Sequence, residues 1–249
     1  ITFGTFPGLE SYVLEASPAA QQKGSYLIEK LDIMNKKFEV ISLSETSQRL
    51  WYKMPSSTVS CLNHGTYTVW KGFGKPNRII RRLHYYYRRG QLKQFLSGLT
   101  SNDTVIAYHS LQTADIFYKY KRKKGFKFVL ELEEIYQDVV NCGAQKAAWE
   151  RKVITAAEGY ILATEALSKE IPAGRPYIVV NGTYHSEPER DVCFNDGKVH
   201  CVYAGTFDPT KGGAAAAAAA AAFLPENYHV HILGFGTEEQ KKRLQELIA

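Results

Sequence analysis

The segment Lys198–Gly213, KVHCVYAGTFDPTKGG, constrains the fold more than any other part of the chain. Its first residues are mostly apolar, with the β-branched and aromatic bias of a buried strand, and Gly205 then permits a sharp turn. Pro209 stiffens the loop that follows, and Gly212 and Gly213 open a helix. The segment therefore predicts a strand, a glycine turn and a helix, the unit from which parallel α/β sheets are built.

The start of this helix is predicted to bind an anion. The backbone N–H groups of a first helical turn have no intrahelical partner, and together with the helix dipole they attract phosphate. Lys211 adds a mobile ammonium group beside them. We therefore expect a diphosphate-sized anion site at the carboxyl end of the strand, the usual ligand position in open α/β sheets.

A second strand and glycine loop follow in Tyr228–Thr237, YHVHILGFGT. The apolar residues of this segment are typical of a buried strand, and Gly234 and Gly236 are expected to leave room for a ligand. Residues 238–248 predict an amphipathic helix. The order strand, loop, helix, repeated twice, predicts a βαβα unit.

Strands and helices are predicted to alternate through the preceding residues, which favours parallel α/β sheets in two domains. The predicted helices are 18–35, 75–97, 111–124, 144–158 and 165–171. The predicted strands are 1–3, 37–43, 51–54, 66–70, 103–108, 127–132, 160–164 and 177–180. The polar segment 186–197 is the predicted boundary, giving domains 1–186 and 187–249.

Composition is that of a globular protein, with 45% hydrophobic and 12% aromatic residues among 249. No apolar run approaches the roughly 20 residues of a membrane-spanning helix. The four cysteines have no CxxC motif and no zinc-site spacing, so reduced thiols in the cytoplasm are expected.

Two segments, Arg78–Arg89 and Lys119–Lys124, concentrate positive charge among tyrosines, and the net charge is +6. This pattern is typical of an anionic membrane surface, of a nucleic-acid site or of a solvated helix face. No nucleic-acid motif accompanies it, so nucleic acid is not the expected partner. The membrane and the solvated face remain open.

His109, Glu131 and Glu133 fall at or just after the ends of two predicted strands. The carboxyl ends of parallel strands share one edge of a sheet, where ligands bind, so these residues are a candidate site. The alternative for His109 is a core histidine hydrogen-bonded to backbone. The alternative for Glu133 and Glu134 is a pair of helix N-terminal acids that complement the dipole.

The glycine loops, taken together, resemble a known family. Gly205, Lys211 and Gly212, followed by Gly234-Phe235-Gly236 and preceded by Val179-Val180-Asn181-Gly182, resemble the nucleotide-sugar half of the family 4 retaining glycosyltransferases. The resemblance implies the GT-B fold, in which two Rossmann-like domains with parallel sheets face a cleft. Domain 1–186 would be the acceptor-side domain, and domain 187–249 would be the start of a nucleotide-sugar-binding domain that is incomplete in this chain.

The resemblance implies transfer of a sugar from a nucleotide-diphosphate donor to a saccharide or lipid-linked saccharide acceptor, with retention. The implied donor-binding residues are Asn181, Gly205, Thr206, Lys211, Gly212, Gly234 and Gly236. The implied catalytic residues are His109, Glu131 and Glu133. The loop with Gly4 and Gly8 would lie on the acceptor side of the cleft.

No Asp-x-Asp motif is present, so no catalytic metal and no other cofactor are expected. Lys211 and the helix dipole would replace the metal. The resemblance also implies a cytoplasmic enzyme of polysaccharide biosynthesis, peripheral on the inner face of a membrane.

Two departures from the family leave other functions open. Thr206 stands where the family usually has an arginine for the donor phosphates. The family's pair of glutamates seven residues apart is expected further along the second domain, past Ala249, so no residue here is assigned to it. The open alternatives are another GT-B enzyme such as a nucleotide-sugar epimerase, a nucleotide-binding protein without transferase activity, and a basic nucleic-acid-binding module. The last would leave both glycine loops unexplained.

Overall fold

The computed structural model describes residues 8–11, 18–42, 51–139, 142–182 and 194–248. The chain divides into two compact units, Ile1–Ser186 and Glu187–Ala249. Each unit has its own apolar core. Among the described residues, no helix combines the length and the apolar character needed to cross a membrane.

The first unit mixes helices with mostly short strands. Its helices are α1 (Pro18–Ile33), α2 (Arg78–Gly98), α3 (Ala114–Lys124), α4 (Tyr136–Val139) and α5 (Ala144–Ala156). Its strands are β1 (Phe38–Ser42), β2 (Lys53–Met54), β3 (Ser57–Cys61), β4 (Gly65–Val69), β5 (Gly72–Phe73), β6 (Thr104–Tyr108), β7 (Lys127–Leu132), β8 (Gly159–Leu162) and β9 (Tyr177–Val179). The predicted helix at 165–171 is instead a 3₁₀ helix, Glu165–Glu170.

The largest sheet has four parallel strands in the order β6-β7-β8-β9. Consecutive strands are neighbours in this sheet, and parallel pairing requires a crossover between each pair. α3 connects β6 to β7, α4 and α5 connect β7 to β8, and the 3₁₀ helix connects β8 to β9. Phe128, Leu130 and Leu132 alternate along β7 and pack with Val153 and Ile154 of α5 in the main core. The prediction of an α/β unit with a parallel sheet is confirmed here.

The prediction of parallel pairing is wrong for residues 53–73. β4 pairs parallel with β1 but antiparallel with β3, and β2 pairs antiparallel with β5. Only residues 62–64 join β3 to β4, a connection too short for a parallel crossover. The Asp32 carboxylate accepts from the N–H groups of Asn63 and His64, both at 2.9 Å, and so ties this turn to α1.

Local capping explains two helix ends in the first unit. The Asn77 side chain accepts from the N–H of Ile80 at 3.0 Å and begins α2. Gly125, with φ of 73°, ends α3 and donates to the carbonyl oxygen of Lys121 at 2.9 Å. The chain can then enter β7 directly.

The second unit contains β10 (Val199–Thr206), α6 (Gly213–Ala221), β11 (Tyr228–Phe235) and α7 (Glu238–Ile248). The two strands pair parallel, from Val199 opposite Tyr228 to Thr206 opposite Phe235. Tyr203, Phe207 and Ile232 pack against the core residues Ala214, Ala218 and Leu244 of the two helices. The predicted βαβα order is confirmed.

Candidate functional site

The carboxyl ends of β6 and β7 bring three of the predicted residues to one sheet edge. His109 follows β6 directly, and its backbone N–H donates to the carbonyl oxygen of Glu131 at 2.9 Å. Glu131 is the penultimate residue of β7, and Glu133 follows that strand. Their side chains nevertheless lie in two different environments.

The His109 imidazole is buried beside Glu150 and Tyr136. His109 is 1% exposed, its Nε2 lies 3.3 Å from Glu150 Oε1, and its ring centroid lies 5.1 Å from that of Tyr136. Burial lowers the pKa of His109 to about 4, so the ring is neutral at neutral pH. The Glu134 backbone opposes this shift, although neither ring nitrogen of His109 meets the geometry of a hydrogen bond within the described residues.

The hydrogen bonds of Glu150 explain how its carboxylate is tolerated beside His109. Glu150 is fully buried on α5, and its two carboxylate oxygens accept from the backbone N–H groups of Tyr136 at 2.8 Å and Gln137 at 3.1 Å. These N–H groups belong to the first turn of α4, where a negative charge complements the exposed donors. The carboxylate therefore anchors the short helix that covers His109.

Glu131 occupies the second environment, beside Lys23 and Glu133. Glu131 is 4% exposed, and burial raises its pKa to about 7, with the Lys23 charge opposing the rise and the Glu133 charge adding to it. Its Oε1 makes no hydrogen bond within the described residues. The Lys23 ammonium donates to Glu133 Oε1. Near neutral pH, Glu131 can therefore either give or take a proton.

The alternation of β7 separates these two environments. Leu130 and Leu132 face the main core, so Glu131 lies on the opposite face, in register with Tyr108 of β6. Burial raises the pKa of Tyr108 and that of Tyr136, and the two hydroxyl groups are in hydrogen-bond contact. Both phenols stay protonated at neutral pH and retain their O–H groups as donors.

The loop after β10 in the second unit is held by its own side chains. Thr206 Oγ1 accepts from the N–H of Asp208 at 3.1 Å, and Asp208 Oδ1 accepts from the N–H of Thr210 at 2.9 Å and from its hydroxyl at 2.8 Å. The bond from the Thr210 N–H is the main reason that the pKa of Asp208 lies below its usual range. The loop therefore carries one carboxylate near the Lys211 ammonium.

Helix α6 begins with donor groups that no side chain caps. Gly212 precedes the helix with φ of 69°, a conformation that favours glycine, and no side-chain hydrogen bond caps this end. A Cβ atom at Gly212 would meet no atom within 4 Å. First-turn N–H groups of this kind attract anions in general, and Lys211 precedes Gly212 in the sequence.

The other glycines of this region have a reason within the unit itself. A Cβ atom at Gly205 would come within 2.6 Å of the Tyr203 hydroxyl, one at Gly236 would come within 2.9 Å of Phe207, and one at Gly234 would overlap the carbonyl oxygen of Gly205. These positions need glycine for close packing of the strands and the loop. Their presence is therefore explained without a ligand.

The remaining predicted site residues lie elsewhere in the first unit. Asn181 is exposed just after β9, and Gly182 follows it with φ of 28°. Gly8 has φ of 79° and donates its N–H to Glu10 Oε1 at 2.8 Å. Gly4 lies outside the described residues.

The basic segments are only partly available to a partner. Arg88 is buried and donates to the carbonyl oxygens of Trp70 and Lys71, both at 3.2 Å. Arg89 Nη2 contacts both carboxylate oxygens of Asp115, at 2.9 and 2.6 Å. The exposed arginines of the first segment are Arg78, Arg81 and Arg82. In the second segment, Lys121 pairs with Glu158 at 2.9 Å and Lys119 lies 5.0 Å from the Trp149 ring centroid.

Sequence reasoning does not find Lys23, Tyr136 or Glu150. Lys23 and Glu150 reach the site from helices, and neither has a strand-end position or a motif that marks it. Tyr136 follows the predicted Glu131–Glu134 group by two residues, which is the only signal for it.

No protein-family model matches the chain, and no curated protein matches it.

Proposed function

We propose that the chain is a metal-independent glycosyltransferase of the GT-B fold, which moves a hexose from a nucleotide-diphosphate donor to a saccharide or lipid-linked saccharide acceptor with retention. The observation that carries the proposal is the start of α6, where first-turn N–H groups without a side-chain cap lie next to Lys211 at the end of a parallel strand. In this proposal the second unit binds the donor and the first unit binds the acceptor.

The donor diphosphate is assigned to Gly212, Lys211 and the first turn of α6. Negative charge develops on the diphosphate as the sugar leaves, and fixed N–H dipoles with a nearby ammonium stabilise that charge. Thr206 offers only a hydroxyl where the family has a guanidinium, and Asp208 adds a nearby carboxylate. We therefore expect weaker diphosphate binding than a site with Arg and Lys together would give.

Glu131 and His109 are the candidate catalytic residues of the first unit. A carboxyl group with a pKa of about 7 can transfer protons at neutral pH, and the neutral His109 imidazole retains hydrogen-bonding capacity for a hydroxyl group. Glu133, held by Lys23, supplies a fixed negative charge beside Glu131.

The test is a thermal-shift panel on the intact chain with UDP-, GDP-, ADP- and CMP-sugars. A ligand present at about 100 times its Kd stabilises the folded protein by about 2.7 kcal/mol, which raises Tm by roughly 5 to 11 °C for a chain of this size. We expect one nucleotide class to raise Tm. Lys211→Ala should remove that shift, and Lys242→Ala, an exposed lysine on α7, should keep it.

Two outcomes argue against the proposal. If no nucleotide sugar raises Tm, or if Lys211→Ala and Lys242→Ala respond alike, the donor site is not at α6. If a nucleoside diphosphate binds as tightly as its sugar conjugate and no sugar transfer is found, the chain is better explained as a nucleotide-binding protein without transferase activity. Thr206, in place of the family's arginine, favours that alternative.

We further propose a peripheral position on the anionic cytoplasmic face of a membrane, and the exposed surface of α2 supports the contact with anionic lipid. Ile79, Leu83 and Tyr86 are each more than half exposed and recur at helical spacing, with Arg78 and Arg82 beside them. Apolar side chains flanked by arginines fit the boundary between headgroups and acyl chains.

We expect flotation with vesicles containing phosphatidylserine but not with purely zwitterionic vesicles, and loss of flotation for the double variant Arg78→Ala, Arg82→Ala. Flotation that is equal for both vesicle types would contradict this assignment.

A further inference from the structure

Three histidines meet on one face of the β10–β11 pair. His200 lies directly opposite His229 in the parallel register, and His231 is two residues further along β11. Residues two apart on a strand share a face, so all three side chains project on the same side. Tyr203 and Ile232 pack toward α6 and α7 on the other side. The histidine cluster therefore lies on the face away from the helices.

The imidazoles are close enough to share one metal ion. One ring nitrogen from each of His200, His229 and His231 lies within 4.8 Å of the others. His200 Nδ1 lies 2.7 Å from His231 Nε2. In a tetrahedral zinc site, metal–nitrogen bonds of about 2.0–2.1 Å hold two ligand nitrogens about 3.4 Å apart. The 2.7 Å contact between His200 and His231 is of hydrogen-bond length, so side-chain rotation has to bring all three nitrogens, now within 4.8 Å of one another, to about that separation.

The His200 ring is already fixed by other groups. Its Nε2 lies 3.0 Å from Asp196 Oδ1, and Phe194 stacks on it with a centroid distance of 3.8 Å and an interplanar angle of 14°. If Nε2–H donates to Asp196, Nδ1 carries a lone pair directed at His231. A carboxylate that binds the outer N–H of a ligating histidine is the usual support for a metal ligand, because it fixes the tautomer and the ring orientation.

The cluster is separate from the proposed donor site. His200 is the second residue of β10, whereas Gly205 and Thr206 end that strand. The donor site needs anion-binding groups, and imidazole nitrogens are instead typical ligands for zinc, copper and nickel. The rings of His229 and His231 lie nearly parallel, with centroids 4.5 Å apart, so one of them must turn for both nitrogens to point at the same ion.

We propose that His200, His229 and His231 bind one divalent transition-metal ion of the zinc class, with Asp196 orienting His200. Three nitrogen ligands leave a fourth position for water or another ligand. The ion would link the amino-terminal parts of β10 and β11 and stabilise the second unit. The inference does not depend on the proposed transferase function, since the donor site is assigned no metal.

The test is metal binding to the intact, untagged chain after treatment with a chelator and removal of that chelator. We expect one equivalent of Zn²⁺ by elemental analysis after dialysis, and a visible d–d absorption band on titration with Co²⁺. Loss of a ligand in His231→Gln or His229→Gln should weaken zinc binding more than 100-fold. Asp196→Asn should weaken it about 10- to 100-fold, as expected for a group that orients a ligand.

His64→Gln is the matched control, because His64 also contacts an aspartate, with its Nδ1 at 3.0 Å from Asp32 Oδ1, but lies in the first unit. This variant should bind zinc like the wild type. His229 is exposed, so its replacement leaves the packing of the second unit in place, and far-ultraviolet circular dichroism checks the fold of each variant. Zinc binding well below one equivalent in the wild type, or unchanged in both His229→Gln and His231→Gln, would overturn the proposal.

Discussion

Replacement of Glu131 by glutamine should make the first unit more stable than the wild type, and increasingly so as pH rises from 4.5 to 7. The carboxyl group is 4% exposed, and burial is the main reason that its pKa rises to about 7 in the folded protein from 4.5. Glutamine keeps the shape of the side chain and cannot ionise. The variant therefore removes the cost of a buried charge.

The size and sign of the effect follow from proton linkage. Below pH 4.5, the folded and unfolded states both hold the Glu131 proton, and the cost is absent. Between pH 4.5 and 7, the unfolded state loses this proton first, so the wild-type free energy of unfolding falls as pH rises. At about 1.4 kcal/mol for each pKa unit, the full cost above pH 7 is about 3 kcal/mol.

Urea unfolding followed by tryptophan fluorescence measures this effect in the first unit alone, because all the tryptophans are there: Trp51, Trp70 and Trp149. His109, whose folded-state pKa is lowered to about 4, also lowers the free energy of unfolding as pH falls. This effect is the same in the wild type and in Glu131→Gln, so it cancels when the free energy of unfolding of one is subtracted from that of the other. Glu134→Gln, at an exposed neighbour, is the control and should leave the difference independent of pH. The reasoning would be refuted if the free energy of unfolding of Glu131→Gln relative to the wild type did not change with pH, or if the wild type became the more stable protein as pH rises.

Three further predictions concern packing and ion pairs. Gly90→Ala should raise the free energy of unfolding by about 0.5 to 1 kcal/mol, because this glycine lies inside α2 with open space around its Cβ position. Gly234→Ala should lower the free energy of unfolding by about 2 kcal/mol or more, because the new methyl group would overlap the paired strand. Urea unfolding followed by circular dichroism measures both changes. Glu150→Ala should cost roughly 3 kcal/mol in the fluorescence assay, because two backbone N–H groups lose their acceptor. A double-mutant cycle on Arg89 and Asp115 should give a coupling energy of about 1 kcal/mol that persists in 0.5 M salt, since the pair is largely buried.

The elements with strong periodicity or clear strand composition could be predicted from the sequence. The strands β6, β7, β10 and β11 are rich in β-branched, aromatic and other apolar residues and end at polar or glycine-rich turns. The hairpin of β3 and β4 could not be predicted because its turn, Leu62-Asn63-His64, has no glycine or proline, and Leu62 adopts φ of 54°. A contact with Asp32, distant in sequence, holds that turn.

The candidate site was predictable only where strand ends define it. His109 and Glu131 could be placed at one sheet edge because parallel strands end together. Their separation into two environments depends on the alternation of β7 and on contacts from Glu150 and Lys23 on other elements. The histidine cluster has a visible signal in His229-Val230-His231, but the third member depends on the register that places His200 opposite His229.

The central claim is that the start of α6 binds the diphosphate of a nucleotide sugar. Isothermal titration calorimetry of the intact chain, with the nucleotide sugar that raises Tm most, tests it most directly. We expect one site per chain, with binding weakened at least about tenfold, or about 1.4 kcal/mol, in Lys211→Ala and unchanged in Lys242→Ala. Equal affinity in all three proteins, or no binding of any nucleotide sugar, would contradict it.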